Sequence, residues 1–392
     1  MKGCPISLRY TLVLLLPFAL SSARAAALPP LPTLPPPPPM PAPQLAGVQA
    51  AVLMDVQSGQ VLAAEAPTRE LNPSGLVKLM TAYVLHQAEG QGLIHVHQGV
   101  PVSASAWHVG GSRMFLQPGK AVDVAQLEDG LLIDGGNDAA IALAQAVAGG
   151  VGSFVQLMNH DAQILGLTQT RFRNPDGLPQ PGQSSSALDL ARLSCDLIRS
   201  DPGIVRITSQ PSYHYNHITQ YNWNPLVGRG GVNGLGVGLA SRQHWNLDVS
   251  ASKDGRTLVA VVLGAPSRSA AAAAASTLLH YGWAGWQDRQ LYGAGQTVAT
   301  LHQQDWSPQR LQVMTTGPVT VSIPSNQTSA VHVVFVPAPH LQAPLRAGAA
   351  VGTLDLRWHG KVLQTAPVFA KNAVEPAGWL TRIFHKAEAW LG

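Results

Sequence analysis

The chain has 392 residues, with 25 Lys and Arg against 21 Asp and Glu, a formal net charge of +4, and only 12% charged residues in all. No basic cluster suits a nucleic acid and no Cys–His spacing suits a structural metal. Two cysteines, Cys4 and Cys195, are too few for a disulfide framework, so the composition points to a protein with no nucleic-acid partner, no metal and no cofactor.

Residues 1–27 read as a secretory signal peptide. Lys2 and Arg9 lead into a mostly apolar run over 10–20, and Ala23-Arg24-Ala25 offers a small-x-small cleavage site. The run is short for a bilayer span, and Cys4 lies ahead of it, misplaced for a lipid-modified cysteine. Its removal leaves Cys195 alone, so an exported chain of this kind rests on its core without an internal disulfide. Residues 28–45 are proline-rich and favour an extended polyproline helix, a semi-rigid spacer rather than a packed domain. The remainder has the length of about two domains.

The first of these is expected over 46–284. Val52, Met54 and Val56 alternate before a Gln57-Ser58-Gly59-Gln60 turn and a return through Val61-Leu62, which is a hairpin. Leu71-Asn72-Pro73-Ser74 starts a helix whose Leu76, Leu79, Met80 and Val84 fall at helical spacing, apolar enough to be central. A second helical region covers 122–148, broken by Gly135-Gly136-Asn137, and helices follow over 154–165 and 187–198. Strands over 245–252 and 257–263 flank a Lys253-Asp254-Gly255 turn, and the alanine run 270–275 opens a last helix near Leu278. Helices packed on an antiparallel sheet, an α+β fold, is the class that follows.

Over 285–374 the pattern changes to short alternating strands at 311–314, 319–323, 330–336 and 352–358, a small β-sandwich. Residues 375–392 read as an amphipathic helix. Trp379, Leu380, Ile383, Phe384, Ala387, Trp390 and Leu391 share a face, with Arg382, His385 and Lys386 off it, which suits a membrane interface; a helix capping the sandwich is the alternative.

Three segments carry the functional signal: Asn72-Pro73-Ser74-Gly75-Leu76-Val77-Lys78, Asp134-Gly135-Gly136-Asn137-Asp138, and Val232-Asn233-Gly234-Leu235-Gly236-Val237-Gly238. In order and spacing they resemble the S-x-x-K, S-x-N and K-T-G signatures of penicillin-binding proteins. Gly110-Gly111-Ser112-Arg113-Met114-Phe115, Asn174-Pro175-Asp176-Gly177-Leu178, Gln220-Tyr221-Asn222 and the region from Ala343 onward are similar to further stretches of the same family. The chain thus resembles the low-molecular-mass penicillin-binding proteins, the serine-type D-alanyl-D-alanine carboxypeptidases, over nearly all of its mature length.

That resemblance implies a transpeptidase domain of the penicillin-binding-protein and β-lactamase-like type. It implies acyl transfer from the terminal D-Ala-D-Ala of a peptidoglycan stem peptide to a serine activated by the lysine three residues later. Carried over by residue, Gly75 fills the nucleophile position and Lys78 the general-base position. Gly135 replaces the relay serine and Asn137 is retained. Gly236 and Val237 replace the lysine and threonine that hold the substrate carboxylate, and Gly238 remains. Pro266 stands where the family often has an arginine, with Arg268 two residues on. Losing a serine nucleophile alone costs on the order of a millionfold in turnover in a serine protease. The expectation is a catalytically inactive member that binds peptidoglycan or a partner enzyme. It would be exported to the periplasm and peripheral on the outer face of the cytoplasmic membrane. The alternative is an active carboxypeptidase whose nucleophile is displaced to Ser74, which otherwise acts as a helix N-cap. Lys78 then needs a buried hydrogen-bonded counterpart, with Asn137 or Asp134 the first candidates.

Overall fold

The computed structural model describes residues 42–325 and 331–378. The expected signal peptide, most of the proline-rich spacer and the chain from Trp379 lie outside the described residues, as does Ala330 at the start of one expected strand.

The chain opens with the expected hairpin, β1 (Ala50–Asp55) and β2 (Val61–Glu65), then one turn of 3-10 helix (Ser74–Leu76) runs into α1 (Val77–Gly90). A small pair, β3 (Gly99–Pro101) and β4 (Ala121–Asp123), flanks α2 (Ala104–His108). After β4 come α3 (Val124–Asp129), a π turn over Gly130–Asp134, α4 (Asn137–Ala148), α5 (Val151–Ile164), α6 (Ala187–Ser200) and α7 (Ile204–Thr208). A hairpin of β5 (Ser212–Tyr215) and β6 (Ile218–Tyr221) precedes three long strands, β7 (Val232–Ser241), β8 (His244–Lys253) and β9 (Arg256–Ala265), and α8 (Arg268–Gly285) ends this part. The β8–β9 turn expected at Lys253-Asp254-Gly255 is there, with Asp254 and Gly255 both at positive φ, the backbone of a tight two-residue hairpin.

The central sheet is antiparallel in the order β2-β1-β9-β8-β7, so β7 is an edge. Strand alternation sorts its two faces. Val259, Val261 and Leu263 of β9 join the core under α1, α4, α5 and α6, whereas Leu258, Ala260 and Val262 pack against α8. Helix α1 is the expected central helix, buried at every position from Val77 to Leu85. Strand β8 is less regular. Leu247, Val249 and Ala251 pack toward α8, but the alternate residues Asn246, Asp248 and Ser250 are polar and buried. Ser194 on α6 donates to Asp248 Oδ2 at 2.6 Å, while Asp248 Oδ1 has no hydrogen-bond partner among the described residues, and burial pushes this carboxyl up to about 7.

The remaining strands form the expected β-rich domain: β10 (Trp286–Tyr292), β11 (Thr297–His302), β12 (Trp306–Ser307), β13 (Arg310–Met314), β14 (Val319–Pro324), β15 (Val331–Pro337), β16 (Ala350–Trp358), β17 (Lys361–Ala370) and β18 (Glu375–Pro376). A five-stranded sheet, β11-β13-β17-β16-β15, packs with the β10–β14 pair around Leu311, Val313, Val319, Leu354 and Val368. Glu375 and Pro376, expected to open the amphipathic helix, instead pair with Ser307 and Trp306, and the Ala377 N–H donates to Asp305 O at 2.7 Å. A proline has no N–H for a helix interior, whereas at a short strand end it is tolerated.

A polar knot joins the two parts. Arg256 Nε lies 2.8 Å from Asp55 and 3.0 Å from Asp288, and its Nη1 donates to the carbonyls of Gly282 and Trp286. Ser322 donates to Asp288 and shares a 2.8 Å hydrogen bond with Ser58, and Gln60 bonds the Ser322 backbone through both ends of its amide. Among the described residues no single helix is long and apolar enough to cross a membrane.

Candidate active site

All three signature segments line one cleft of about 370 Å³, between the start of α1, the Gly135 turn and β7. Ser74, Gly75, Lys78, Gly135, Asn137, Gly236, Val237 and Gly238, which sequence reasoning singled out, are all in its lining. Asp134, named there only as a possible partner of Lys78, lines it too, as do Ser112, Asp176, Trp223 and Trp245, to which the sequence assigned no role in the site.

The backbone is held in unusual conformations at two lining positions, Ser74 and Leu235, and at Phe115 in the loop that carries Ser112. Ser74 (φ 51), Phe115 (φ 63) and Leu235 (φ 110) are non-glycine residues at positive φ. Each such residue costs on the order of 1–3 kcal/mol and persists because its surroundings over-determine it. Ser74 is 3% exposed and is not the side-chain N-cap that the sequence suggests. Its hydroxyl accepts the Gly75 N–H at 2.5 Å, and its own N–H donates to Asn72 Oδ1 at 2.9 Å, so Asn72 supplies the side-chain oxygen at this helix start.

Lys78 is buried, and its counterpart is neither Asn137 nor Asp134. Its Nζ donates to the Asp176 carbonyl oxygen. Burial pulls the ammonium down to about 8, against the attraction of Asp176, Asp134 and Asp138. The loop that supplies the carbonyl is an Asx-type turn: Asn174 Oδ1 accepts from Gly177 N and Asp176 Oδ1 from Leu178 N. Thr81 Oγ1, one turn beyond Lys78 on α1, donates to Pro175 O at 2.7 Å and fixes the same loop. Asn137 Nδ2 donates to Gly110 O at 2.7 Å. Asp138 accepts the N–H groups of Met114 and Leu116 at 2.9 and 3.1 Å and so pins the loop that carries Ser112 and Phe115. Asp134 is pushed up to about 6, mainly by burial and slightly by Asp138, against hydrogen bonds from Trp223, Ser112 and Gln220.

The glycines of the signatures are not equivalent. A Cβ at Gly75 would fall inside van der Waals contact of the Val237 carbonyl oxygen and 3.2 Å from Gly238 Cα, so strand β7 occupies that space with backbone. A Cβ at Gly238 would lie 2.5 Å from Ser74 Oγ and 2.7 Å from Gly75 N. At Gly236 the obstacle is a movable methyl, Leu76 Cδ2 at 2.9 Å. Gly135 faces open space but sits at φ 74, the left-handed region that disfavours a side chain.

With this geometry in hand, comparison with known proteins is decisive. A family model described as D-alanyl-D-alanine carboxypeptidase matches residues 40–267, and one described as penicillin-binding protein 5, C-terminal domain, matches 286–376. The chain belongs to the D-alanyl-D-alanine carboxypeptidase family. Among its relatives in this family, the D-alanyl-D-alanine carboxypeptidase DacC of Escherichia coli is 35% identical over 359 residues, covering 88% of this chain and 89% of that protein. The crystal structure of penicillin binding protein 5 from Haemophilus influenzae aligns with a TM-score of 0.77 at 33% identity, over 86% of this chain and 99% of that one. Penicillin binding protein 6B from Escherichia coli aligns at 0.68 and 33% identity, over 84% and 98%. Within the family fold, then, this chain keeps the cleft with a lysine and an asparagine in it, and lines the β7 side from Leu235 to Leu239 with no polar side chain.

Proposed function

We propose that this family member has lost acyl-transfer chemistry and serves peptidoglycan metabolism as a binding protein, for stem peptide or for a partner enzyme. The observation that carries this reading is the approach of Gly75 to β7. The nucleophile position not only lacks a hydroxyl but has no room for the carbon that would bear one. Ser74 is poorly placed to replace it, since it is 3% exposed and its hydroxyl is held by the Gly75 N–H at 2.5 Å. On the far wall Gly236 and Val237 offer neither charge nor hydroxyl to a substrate carboxylate. Lys78 remains as a buried amine serving the 174–178 turn.

The reading includes export through the signal peptide at 1–27 and peripheral attachment to the outer face of the cytoplasmic membrane through residues 379–392. Burying Trp379, Leu380, Ile383, Phe384, Trp390 and Leu391 gains roughly 25 cal/mol per Å² removed from water. Because Glu375–Ala377 belongs to the β-rich domain, a chain cut after Gly378 keeps that domain intact and should leave sedimented membranes.

The deciding experiment is incubation of the purified mature chain with fluorescent penicillin, mass-spectrometric mapping, and co-sedimentation with peptidoglycan sacculi. No adduct together with sedimentation is expected. A covalent adduct on Ser74 would establish the active alternative instead.

A further inference from the structure

Residues 29–43 hold ten prolines in fifteen positions, and no charged residue falls between Arg24 and Asp55. Such a run favours a polyproline helix of three residues per turn, which puts every third side chain on one edge. The three large apolar side chains of the run, Leu31, Leu34 and Met40, all keep that period, with Pro37 between them and Pro43 next in line. A spacer solvated on every side gives its apolar residues no reason to share an edge. We propose that residues 31–41 form an intramolecular strap. Met40 and Pro37 seat in an apolar groove at the end of α8, and Leu34 and Leu31 carry the same edge across the junction with the β-rich domain. The strap does not depend on the binding function above.

The groove and the start of the described chain meet. The groove has a volume of about 470 Å³, and Pro43 lines it. The rest of its lining includes Thr277, His280, Tyr281 and Ala284 of α8, spaced as a single helix face, and Ser325, which follows β14. Tyr281 is set edge-on to Trp286, with ring centroids 6.5 Å apart, and aromatic-lined grooves are where polyproline helices dock. The chain already packs here by alternation. Pro43 and Leu45 are half-buried, Ala42 and Gln44 are exposed, and Leu45 and Val48 rest on the cluster that includes Leu278. Its direction is also set. A Cβ at Gly47 would lie 3.5 Å from Pro266 Cγ, just before α8, whereas Pro43 lies with residues toward the end of that helix. Followed backwards from Gly47, the chain runs along α8 to its C-terminal end, where the Ser325 N–H donates to Gly285 O at 2.9 Å and the β-rich domain begins. Residues just ahead of Pro43 are tethered at the groove, so even a weak contact there is favoured by high effective concentration. Residues 35–39, all proline, bring no N–H that burial would leave unpaired.

Magnetic resonance on the full mature chain, with isotope-labelled methionine methyls, tests this directly. Met40→Leu identifies the Met40 signal. That signal should be displaced from the position of a solvent-exposed methionine and show a nuclear Overhauser contact with the Tyr281 ring. A Met40 methyl at the solvent-exposed position, with no such contact, would overturn the strap. A contact seen only between differently labelled chains in a mixed sample would overturn it too and assign the groove to a second copy. Paired substitutions then test the edge. Leu34→Asp with Met40→Asp places charge on it, and Thr33→Asp with Ala42→Asp places the same charge off it. The on-edge pair should lower the melting temperature by about 2 °C or more, and the off-edge pair by less than about 1 °C. Equal shifts from the two pairs would show that the apolar register has no partner and would overturn the strap, leaving the outcome of the penicillin and sacculus experiments unaffected.

Discussion

The two walls of the cleft are built on opposite plans. On the helical side, Lys78, Asn137 and Asp138 are each tied to backbone groups of a loop, to Asp176 O, to Gly110 O, and to the N–H groups of Met114 and Leu116. On the β7 side, Gly236, Val237 and Gly238 pair with β8 through backbone but hold no loop by a side-chain hydrogen bond, and the strand comes close enough for its backbone to fill the space beside Gly75. Polar residues that also hold loops in place have a structural reason to stay when chemistry goes. Residues whose only partner would be a substrate do not. On this account Lys78 and Asn137 are retained as architecture.

That contrast can be broken by substitution, and the largest effect is expected on the helical wall. Asp138→Ala takes the acceptor from three buried N–H groups, those of Met114, Leu116 and Ala139, and should lower stability by roughly 4 kcal/mol, read by urea denaturation. A change under about 1 kcal/mol would show that the loop is held by something else. Next comes Gly75→Ser, the change that nominally restores the nucleophile. It should cost about 3 kcal/mol by forcing β7 outward and should produce no penicillin adduct. A stable, acylated variant would show that the strand yields easily.

The buried polar row behind the cleft sharpens the comparison through pH. Burial raises the Asp248 carboxyl to about 7 from 3.8, so the folded state holds a proton that the unfolded chain has lost. Stability from this group therefore falls as pH rises across that window. Asp248→Asn should be more stable than the parent by about 4 kcal/mol near pH 8 and by about 2 kcal/mol near pH 5, with the difference vanishing below about pH 4, measured by thermal melts. The smallest effect is expected at Lys78. Its folded-state value is lowered to about 8 from 10.5, so it holds fewer protons than in the unfolded chain, and its contribution to stability rises with pH across that range. Lys78→Met should be within about 1 kcal/mol of the parent at pH 7 and should lack that alkaline rise. A large loss at pH 7 would mean that the amine does more than hold the Asp176 carbonyl.

Much of the fold was legible because burial imposes periodicity. Leu76, Leu79 and Met80 mark α1 by their spacing, and all are buried. The β5–β6 hairpin was not legible, since Ser212–Tyr215 and Ile218–Tyr221 carry mixed polar and aromatic residues with only Tyr213 fully inside. Strand β17 escaped for a related reason: Lys361, Gln364, Thr365 and Pro367 dilute the alternation. At the site, the positions of the three signatures were readable from order and spacing. The partner of Lys78 was not, because it is a main-chain carbonyl, and a carbonyl leaves no mark on residue type. Glu375 and Pro376 were assigned to the wrong element because the apolar face beyond them has a helical period that does not reveal where it starts.

The contact between residue 75 and β7 also bears on history. A side chain at position 75 and the present path of Val237 exclude one another. On the proposed reading, Gly75→Ser alone would therefore lose stability and return no turnover, because β7 would have to move and Gly236 and Val237 would have to change as well. On that reading the Gly75–Val237 approach works as a ratchet: with the strand settled against a glycine, a side chain restored at position 75 is disfavoured before any other change makes it useful.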